Sequence, residues 1–572
     1  MTGKTGRHAI IEQFLADGIE YMFGNPGTVE QGFLDALEDY PDFKYIFTLQ
    51  ETIAVAIADG YARATKKPTL VQLHSGVGLG NGIGMMYQAK RGYAPLVVIA
   101  GESGVKYDSM DAQMAADLVS IARPVTKWAT RVVDPASLLR VLRRAIKIAG
   151  TAPMGPVFVS LPMDVLDAEA FEVVVPTSFP STRSAPQDSD IAQAVEMLAA
   201  AERPMIIMGD GVAISGAQAE LTRVAELLGA DVWGANSSEV NISEKHPLYR
   251  GSLGHMFGTH SAPITSQADA VLIVGTYVFP EVFPALDDVF APDAKVMHID
   301  LDAYEIAKNF PVDLGMVADP KVALAKLADV LDSQLNSEHR KASEARITSH
   351  QEAKDRQLKE MYDADQQFRD SIPLHPSRLM EELAAHLPSD TIVFDEALTA
   401  SPELSQYFPA TEPGSYYQTR GGSLGVGVPG AIGLKLAHPD RTVVGFGGDG
   451  GSMYTIQALW TAAHHNIGAK FVIFNNRSYQ LLKLNILEYW RERGMPEHDF
   501  PDSFDISHPD IQFDELARAL GVPGVRVETA DQIHSAVDEA LAHDGPFLID
   551  LVTTTEPAPH RVPAKISKSG QG

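Results

Sequence analysis

The clearest indication of the fold is the stretch Thr442-Val443-Val444-Gly445-Phe446-Gly447-Gly448-Asp449-Gly450-Gly451. Its apolar first half predicts a buried strand of a parallel sheet, and the residues from Ser452 to His464 predict the helix that follows. Asp449 then lies at the carboxyl end of a strand, where open α/β sheets bind their ligands. The glycines around Asp449 allow the backbone to come close to a phosphate.

A second strand and an asparagine pair complete this motif. The apolar run from Lys470 to Phe474 leads into Asn475-Asn476, so that Asn476 follows Asp449 by 27 residues. Magnesium prefers hard oxygen ligands, and it is commonly held by one or two protein oxygens together with phosphate oxygens and water. The Asp449 carboxylate and the Asn476 side chain therefore predict a magnesium site that grips a diphosphate.

The chain contains its own comparison for this motif. Gly209-Asp210-Gly211 also follows an apolar run, but the residue 27 positions after Asp210 is Ser237, and no asparagine pair surrounds it. We therefore interpret the triplet around Asp210 as a turn.

Composition limits the possible classes of protein. The 572 residues exceed what one core accommodates, and the net charge of −28 argues against non-specific binding to nucleic acid or to a membrane surface. The absence of cysteine excludes disulfides, thiolate catalysis and cysteine-ligated metals. Residues 1–6 lack the apolar core of a signal peptide, and no segment has the apolar length to span a bilayer, so we expect a cytoplasmic protein.

Alternating strands and helices predict parallel α/β sheets in three blocks. The predicted order is a first block at 1–172, a Pro- and Ser-rich linker at 173–189, a middle block at 190–335, a charged connecting helix at 336–375, a third block at 376–555 and a tail at 556–572. The tail is locally basic, with His560, Arg561, Lys565 and Lys568.

Asp449 and Asn476 at this spacing resemble the signature of thiamine diphosphate enzymes. Leu49-Gln50-Glu51 stands after a first-block strand, where this family places its cofactor-activating glutamate. Three further stretches resemble benzoylformate decarboxylase: Gly24-Asn25-Pro26-Gly27-Thr28, His74-Ser75-Gly76-Val77-Gly78, and the segment from Gly414-Ser415-Tyr416-Tyr417 to Gly433. The resemblance implies three doubly wound parallel-sheet domains, which are pyrimidine-binding, middle and diphosphate-binding domains in that order.

The resemblance also implies residue roles. The residues that would hold magnesium are Asp449, Asn476 and the carbonyl of Ser478, and those that would meet the diphosphate are Gly450, Gly451, Ser452 and, as a weaker candidate, Thr399. Leu424 would lie beneath the thiazolium, and the Gly422 carbonyl would accept a hydrogen bond from the aminopyrimidine. The family places substrate near Asn25, Thr28, His74 and Ser75, with His74 as a catalytic candidate.

Glu51 would hydrogen-bond the pyrimidine ring, and a partly apolar site raises a carboxyl pKa toward that of such a partner. Because the family takes Glu51 and Asp449 from different subunits, the resemblance implies an obligatory homodimer and an expected homotetramer. Each role has an alternative. Glu51 could stabilise the N-terminus of the helix from Thr52, His74 could be a hydrogen-bonded histidine at a strand end, and Leu424 could be a core leucine.

Several features depart from benzoylformate decarboxylase. The segment from Tyr277 to Val282 contains no second histidine, and Thr28 stands where the decarboxylase has a serine. One residue is inserted in 421–424, so the sequence alone does not decide which carbonyl contacts the pyrimidine. The segment from Ser478 to His508 is longer and carries Glu488 and Glu492. Glu488 is a candidate base for a substrate hydroxyl, or both glutamates are surface charges paired with Lys483 or Arg491.

These departures favour 2-hydroxyacyl-CoA lyase as the activity, which releases formyl-CoA and a ketone or aldehyde or runs in reverse. The basic tail would suit the phosphates of a CoA thioester, or it is an ordinary disordered terminus. The alternative activity is decarboxylation of an aromatic or branched 2-oxo acid. A non-catalytic cofactor-binding subunit is a third hypothesis, against which Glu51, Asp449 and Asn476 all argue. In each case the expected partner is a small molecule, an acyl-CoA or a 2-oxo acid.

Overall fold

Three six-stranded parallel sheets, each flanked by helices, carry the chain. The computed structural model describes residues 4–235, 237–254, 256–279 and 281–555. The basic tail and its predicted role lie outside the described residues. The three sheets with their flanking helices confirm the predicted fold class. The exact limits of the three blocks stay predictions, although each large sheet lies inside one of them.

The first sheet has the strand order β3-β2-β4-β5-β7-β6. Its central strands are apolar and fully buried, as expected for strands covered by helices on both faces. The strands of this block are β1 (Lys4–Thr5), β2 (Tyr21–Gly24), β3 (Lys44–Phe47), β4 (Thr69–His74), β5 (Leu96–Glu102), β6 (Trp128–Arg131), β7 (Val157–Pro162) and β8 (Glu169–Ala170), of which β1 and β8 form a small separate antiparallel pair. The helices are α1 (Gly6–Ala16), α2 (Gln31–Ala36), α3 (Glu51–Thr65), α4 (Ser75–Arg91), α5 (Leu118–Ala122), α6 (Leu138–Gly150) and α7 (Met163–Asp167).

The middle sheet has the order β11-β10-β9-β12-β13-β14. Its strands are β9 (Pro204–Met208), β10 (Asp231–Gly234), β11 (Tyr249–Ser252), β12 (Ala270–Val274), β13 (Lys295–Asp300) and β14 (Leu314–Val317). The helices are α8 (Asp188–Ala199), α9 (Gly211–Ser215), α10 (Gln218–Leu228), α11 (Gly258–Thr265) and α12 (Pro320–Gln334). The long, mostly exposed α13 (Ser337–Asp365) then leads to the third block, and its Arg346 Nε donates to the Gly229 carbonyl at 3.1 Å.

The third sheet has the order β16-β15-β17-β18-β20-β19. Its strands are β15 (Ile392–Glu396), β16 (Tyr416–Gln418), β17 (Val443–Gly448), β18 (Lys470–Asn475), β19 (Gly524–Val527) and β20 (Phe547–Val552). The helices are α14 (Pro376–His386), α15 (Ser401–Tyr407), α16 (Gly427–Ala437), α17 (Asp449–Ser452), α18 (Ala458–His464), α19 (Gln480–Glu492), α20 (Phe513–Ala519) and α21 (Ile533–Ala542). The single helix predicted from Ser452 to His464 is wrong in detail, because the chain leaves helical geometry between α17 and α18.

Helices α3 and α16 join the first and third blocks through glycine contacts. A Cβ built on Gly60 would lie 2.4 Å from the Gly430 carbonyl oxygen, and one on Gly433 would lie 2.1 Å from that of Ile57. These pairs make the two helices antiparallel and very close. The described residues contain no helix long and apolar enough to cross a membrane.

Candidate active site

The carboxyl edge of the third sheet brings Asp449 and Asn476 together. They follow the neighbouring strands β17 and β18, whose register pairs Gly448 with Phe474. Asp449 Oδ1 accepts from the Gly450 amide at 2.7 Å, and Oδ2 accepts from the Arg477 amide. Asn476 Oδ1 accepts from the Ser478 amide at 2.9 Å. The tight turn thus fixes both side chains at adjacent strand ends.

The chemistry of this edge fits a magnesium diphosphate group. Asp449 is buried, burial raises its pKa to about 6, and no lysine or arginine forms an ion pair with it in the described part of the chain. The buried Ser452 Oγ has no hydrogen-bond partner among the described residues. A Cβ on Gly448 would meet nothing within 4 Å. A buried carboxylate, an unpaired hydroxyl and open space are what a bound cation and phosphate require.

The other predicted ligands lie around this pair. Thr399 Oγ1 donates to Gln480 Oε1 at 2.8 Å, and Asn476 Nδ2 donates to the same oxygen at 3.3 Å, so Thr399 belongs to the site's hydrogen-bond network. The Ser478 carbonyl accepts from the Gln480 amide at 2.8 Å. Gly450 and Gly451 lie in α17 directly after Asp449.

The loop with Gly422 and Leu424 is held by a residue that the sequence interpretation missed. Glu396, at the end of β15, accepts from the amides of Gly425 at 2.7 Å and Gly427 at 2.6 Å, and burial raises its pKa to about 7. Gly422 is exposed with a φ of +75°, which favours glycine. Leu424 is only partly buried, so within this chain it is not a core leucine.

Glu51 lies at the carboxyl edge of the first sheet, as the first residue of α3. Asn81 Nδ2 donates to Glu51 Oε2 at 3.0 Å, and a Cβ on Gly78 would lie 2.7 Å from Glu51 Oε1. The N-terminus of α3 is capped by Gln50, whose Oε1 accepts from the Thr52 amide at 2.6 Å. The capping role considered for Glu51 is therefore filled by its neighbour.

His74, at the end of β4, pairs with a second residue that the sequence interpretation missed. Its Nδ1 lies 2.9 Å from Glu30 Oε2, while Glu30 Oε1 accepts from the Gly101 amide at 2.9 Å. Burial raises the pKa of Glu30, although hydrogen bonding and charge from His74 oppose this. A Cβ on Gly27 would lie 1.9 Å from the His74 ring, so the glycine makes room for the histidine.

The remaining predicted residues of this edge differ in accessibility. Asn25 Nδ2 donates to the Thr48 carbonyl at 2.8 Å, and Thr28 is exposed. Ser75 is buried, and its hydroxyl donates to the Met114 carbonyl at 3.3 Å. The Ser75 hydroxyl is therefore engaged within the chain, and its substrate contact stays a prediction.

Glu488 lies near the C-terminal end of α19 and forms an ion pair with Arg491, one turn away. This is the surface pairing considered as the alternative to a catalytic role.

The segment from Tyr277 to Val282, which lacks the second histidine, contacts a lysine instead. Lys308 Nζ lies 3.2 Å from the centroid of the Tyr277 ring. The Lys308 ammonium group thus makes a cation–π contact with the first residue of that segment.

Within one chain, Glu51 lies near the amino edge of the third sheet, whereas Asp449 lies at the carboxyl edge of that sheet. The Phe47 amide, four residues before Glu51, donates to His465 Nε2 at 2.9 Å, and His465 precedes the amino end of β18. Asp449 follows the carboxyl end of the adjacent parallel strand. Six strand residues at about 3.3 Å each separate the two edges by about 20 Å.

Comparisons with known proteins agree with this geometry. Three family models described as thiamine pyrophosphate enzyme domains match the chain: the N-terminal TPP binding domain at 4–121, the central domain at 191–327 and the C-terminal TPP binding domain at 399–551. Benzoylformate decarboxylase of Pseudomonas aeruginosa is 30% identical over 96% of this chain and 99% of its own length. Acetolactate synthase isozyme 3 large subunit of Escherichia coli is 28% identical over 99% and 97%.

A solved structure shows the same similarity in three dimensions. The thiamine diphosphate-dependent 4-hydroxybenzoylformate decarboxylase of Rhodococcus jostii RHA1 superposes with a TM-score of 0.84 at 29% identity, covering 97% of this chain and 100% of that one. The superposition covers all three sheets, and with them the sheet edge that carries Glu51 and the sheet edge that carries Asp449. The chain therefore belongs to the family of thiamine diphosphate enzymes.

Proposed function

We propose that the protein is a thiamine diphosphate- and magnesium-dependent decarboxylase of 2-oxo acids with an aromatic or branched side chain. The observation that carries this proposal is the His74–Glu30 pair, which stands at the same sheet edge as Glu51. Decarboxylases among the similar proteins act on benzoylformate and 4-hydroxybenzoylformate, as their names state. A 2-oxo acid of that kind is therefore the first substrate to test.

The residues at the two sheet edges would have different roles in the reaction. When bound, thiamine diphosphate supplies a carbon nucleophile and then stores the electron pair released by bond cleavage. Asp449, Asn476 and the Ser478 carbonyl would hold magnesium and the diphosphate, and Glu51 would hold a proton shared with the pyrimidine ring. Because Nδ1 of His74 is engaged by Glu30, its Nε2 is the ring nitrogen left to exchange a proton with substrate.

The proposed active site needs a second copy of the chain. The separation of about 20 Å between the two edges, from the strand rise, prevents one chain from supplying both Glu51 and Asp449 to one cofactor. Exposed apolar side chains lie near both residues. Leu49 and Val77 are exposed at the carboxyl edge of the first sheet, and Met453 and Tyr454 are exposed at the carboxyl edge of the third sheet. Pairing of two copies would bury these surfaces, so we propose a homodimer as the smallest active unit and a homotetramer as the assembly.

The second candidate is the 2-hydroxyacyl-CoA lyase favoured by the sequence. Glu488 lies on α19, which begins beside Asn476, and its side chain is only 23% exposed despite the ion pair with Arg491. Partial burial leaves it as a candidate base for a substrate hydroxyl. It is two helical turns from Gln480, so it serves the far end of a substrate rather than the diphosphate.

One experiment separates the candidates. Protein saturated with thiamine diphosphate and Mg²⁺ is incubated separately with benzoylformate, with branched 2-oxo acids, with pyruvate alone, and with formyl-CoA plus benzaldehyde or acetone. The proposal expects carbon dioxide and an aldehyde from benzoylformate or a branched acid. A 2-hydroxyacyl-CoA product with no carbon dioxide from any 2-oxo acid would replace it with the lyase, and acetolactate from pyruvate would replace it with a synthase.

A further inference from the structure

We propose that the middle domain positions the cofactor loop, residues 421–424, through a buried ion pair between Asp210 and Arg420. Asp210 is the centre of the second Gly-Asp-Gly triplet, and Arg420 directly precedes the loop. Asp210 is then a positioning residue of the cofactor site and not a simple turn residue. The inference rests on the proposed role of this loop in holding thiamine diphosphate, and not on the identity of the substrate.

The Asp210 carboxylate is fixed by its own domain. Oδ1 accepts from the amides of Ser238 at 2.8 Å and Glu239 at 3.1 Å, and Oδ2 accepts from the Ser238 hydroxyl. Asn241 Nδ2 donates to Oδ1 at 3.2 Å. Asp210 is only 3% exposed, so this carboxylate cannot rotate into solvent. Its position is therefore set by β9 and by the segment after β10.

Arg420 connects this carboxylate to the first domain. Its Nε lies 3.7 Å from Asp210 Oδ2, and its Nε and Nη2 donate to the Arg91 carbonyl, at the end of α4, at 3.2 and 3.1 Å. Burial acts to raise the pKa of Asp210, but Arg420 and the Ser238 hydrogen bonds outweigh it, and the pKa lies below its usual value. The Asp210 carboxylate is thus held in its charged form, and both side chains are shielded from water.

The same point joins all three domains. The Gln418 amide donates to the Ser238 carbonyl at 2.8 Å, and Nη2 of Arg63, on α3, donates to the Ser238 hydroxyl at 3.0 Å. Arg63 Nη1 also donates to the Gln418 carbonyl at 3.0 Å. The end of β16 is therefore tied to the middle domain immediately before the cofactor loop begins.

The loop itself needs anchors at both ends. Gly421 and Gly422 have φ values of +67° and +75°, and glycine in such conformations loses much backbone freedom when it is ordered. Downstream, Glu396 holds the amides of Gly425 and Gly427. Upstream, the Asp210–Arg420 pair is the charged anchor. Loss of the upstream anchor would let the loop with Gly422 and Leu424 sample other positions.

The variant Asp210→Asn tests this inference while keeping the local hydrogen bonds. The amide oxygen can accept from Ser238 and Glu239, and the amide nitrogen can donate to the Ser238 hydroxyl, so mainly the charge opposite Arg420 is lost. Asp319→Asn is the matched control, because Asp319 is an equally buried middle-domain carboxylate that pairs with Arg183, away from the loop. Arg420→Gln and the double variant complete a cycle.

Two readouts do not depend on turnover. Amide hydrogen exchange of residues 419–426 is measured in cofactor-free protein, and the affinity for thiamine diphosphate is measured by tryptophan quenching at saturating Mg²⁺. We expect Asp210→Asn to speed exchange in the loop about tenfold or more and to weaken the affinity to a similar extent. We expect the double variant to be no worse than the worse single variant.

Unchanged loop exchange and affinity in Asp210→Asn would overturn the inference. Equal loop exchange in Asp319→Asn would also overturn it, because the effect would then be general destabilisation. If Asp210→Asn does not fold, Arg420→Gln in the same two assays decides in the same way. Failure of wild type to decarboxylate any 2-oxo acid would refute the proposed substrate class and leave these binding results valid.

Discussion

The His74–Glu30 pair gives a prediction whose magnitude follows from the contacts. In Glu30→Gln, one side-chain oxygen must replace two, because Glu30 Oε1 accepts from the Gly101 amide and Glu30 Oε2 forms a hydrogen bond of 2.9 Å with His74 Nδ1. A hydrogen bond to a charged group contributes about 1.5–3 kcal/mol. At about 1.4 kcal/mol per decade, its loss lowers kcat/KM by about 10- to 150-fold.

The assay is steady-state decarboxylation of the best 2-oxo acid, with the affinity for thiamine diphosphate measured in parallel. We expect kcat/KM to fall and the cofactor affinity to stay within about twofold, because Glu30 contacts His74 and not the diphosphate edge. In a His74→Phe background, the same Glu30→Gln change should cost almost nothing more. A full additive loss in that background, or an unchanged kcat/KM in the single variant, would refute the reasoning.

Three further outcomes are expected. Gly60→Ala should lower the apparent melting temperature, because overpacking against Gly430 costs about 1–3 kcal/mol, whereas the better helix propensity of alanine returns about 1 kcal/mol. Gly92→Ala is the control and should not lower it, because a Cβ on Gly92 would have no atom closer than 3.5 Å. Equal melting temperatures for the two variants would contradict this. Burial raises the pKa of Asp300 to about 7 from 3.8, so its contribution to stability is present below pH 3.8 and is lost as pH rises through 7. Asp300→Asn should therefore remove a slope of about 1.4 kcal/mol per pH unit in unfolding free energy between those values, as checked by denaturant unfolding at pH 5 and 7, and an unchanged slope would argue against it. Glu488→Gln should leave decarboxylation within about threefold, because its partner Arg491 is on the same surface turn, and a larger loss would show that Glu488 takes part in the reaction.

The fold and the position of Asp449 and Asn476 at one sheet edge could be predicted from the sequence because their signals are local. Buried parallel strands are continuous apolar runs, and the spacing from Asp449 to Asn476 spans one strand-to-strand connection, which places both residues at adjacent strand ends. The family resemblance added Glu51 and His74 by position.

Residues that act through distant partners could not be found in this way. Glu30 is two residues past the Thr28 segment, but its partners His74 and Gly101 lie on other strands. Asp210 lacks the spacing to an asparagine that Asp449 has, and no spacing in the sequence indicates that the buried Arg420, from another block of the chain, lies beside it. Glu396 was visible as an acidic residue at a strand end, and only the path of the loop shows that it holds Gly425 and Gly427.

The proposed active site combines the Glu51 edge of one chain with the Asp449 edge of another. The most direct measurement is complementation between Glu51→Gln and Asp449→Ala chains, co-expressed with two different tags and assayed for decarboxylation after both tags are selected. Each variant alone should be inactive, whereas the mixed dimer should regain about half of the wild-type activity per dimer, because one of its two sites contains neither substitution. A mixed dimer as inactive as its parents would contradict an active site shared between two chains.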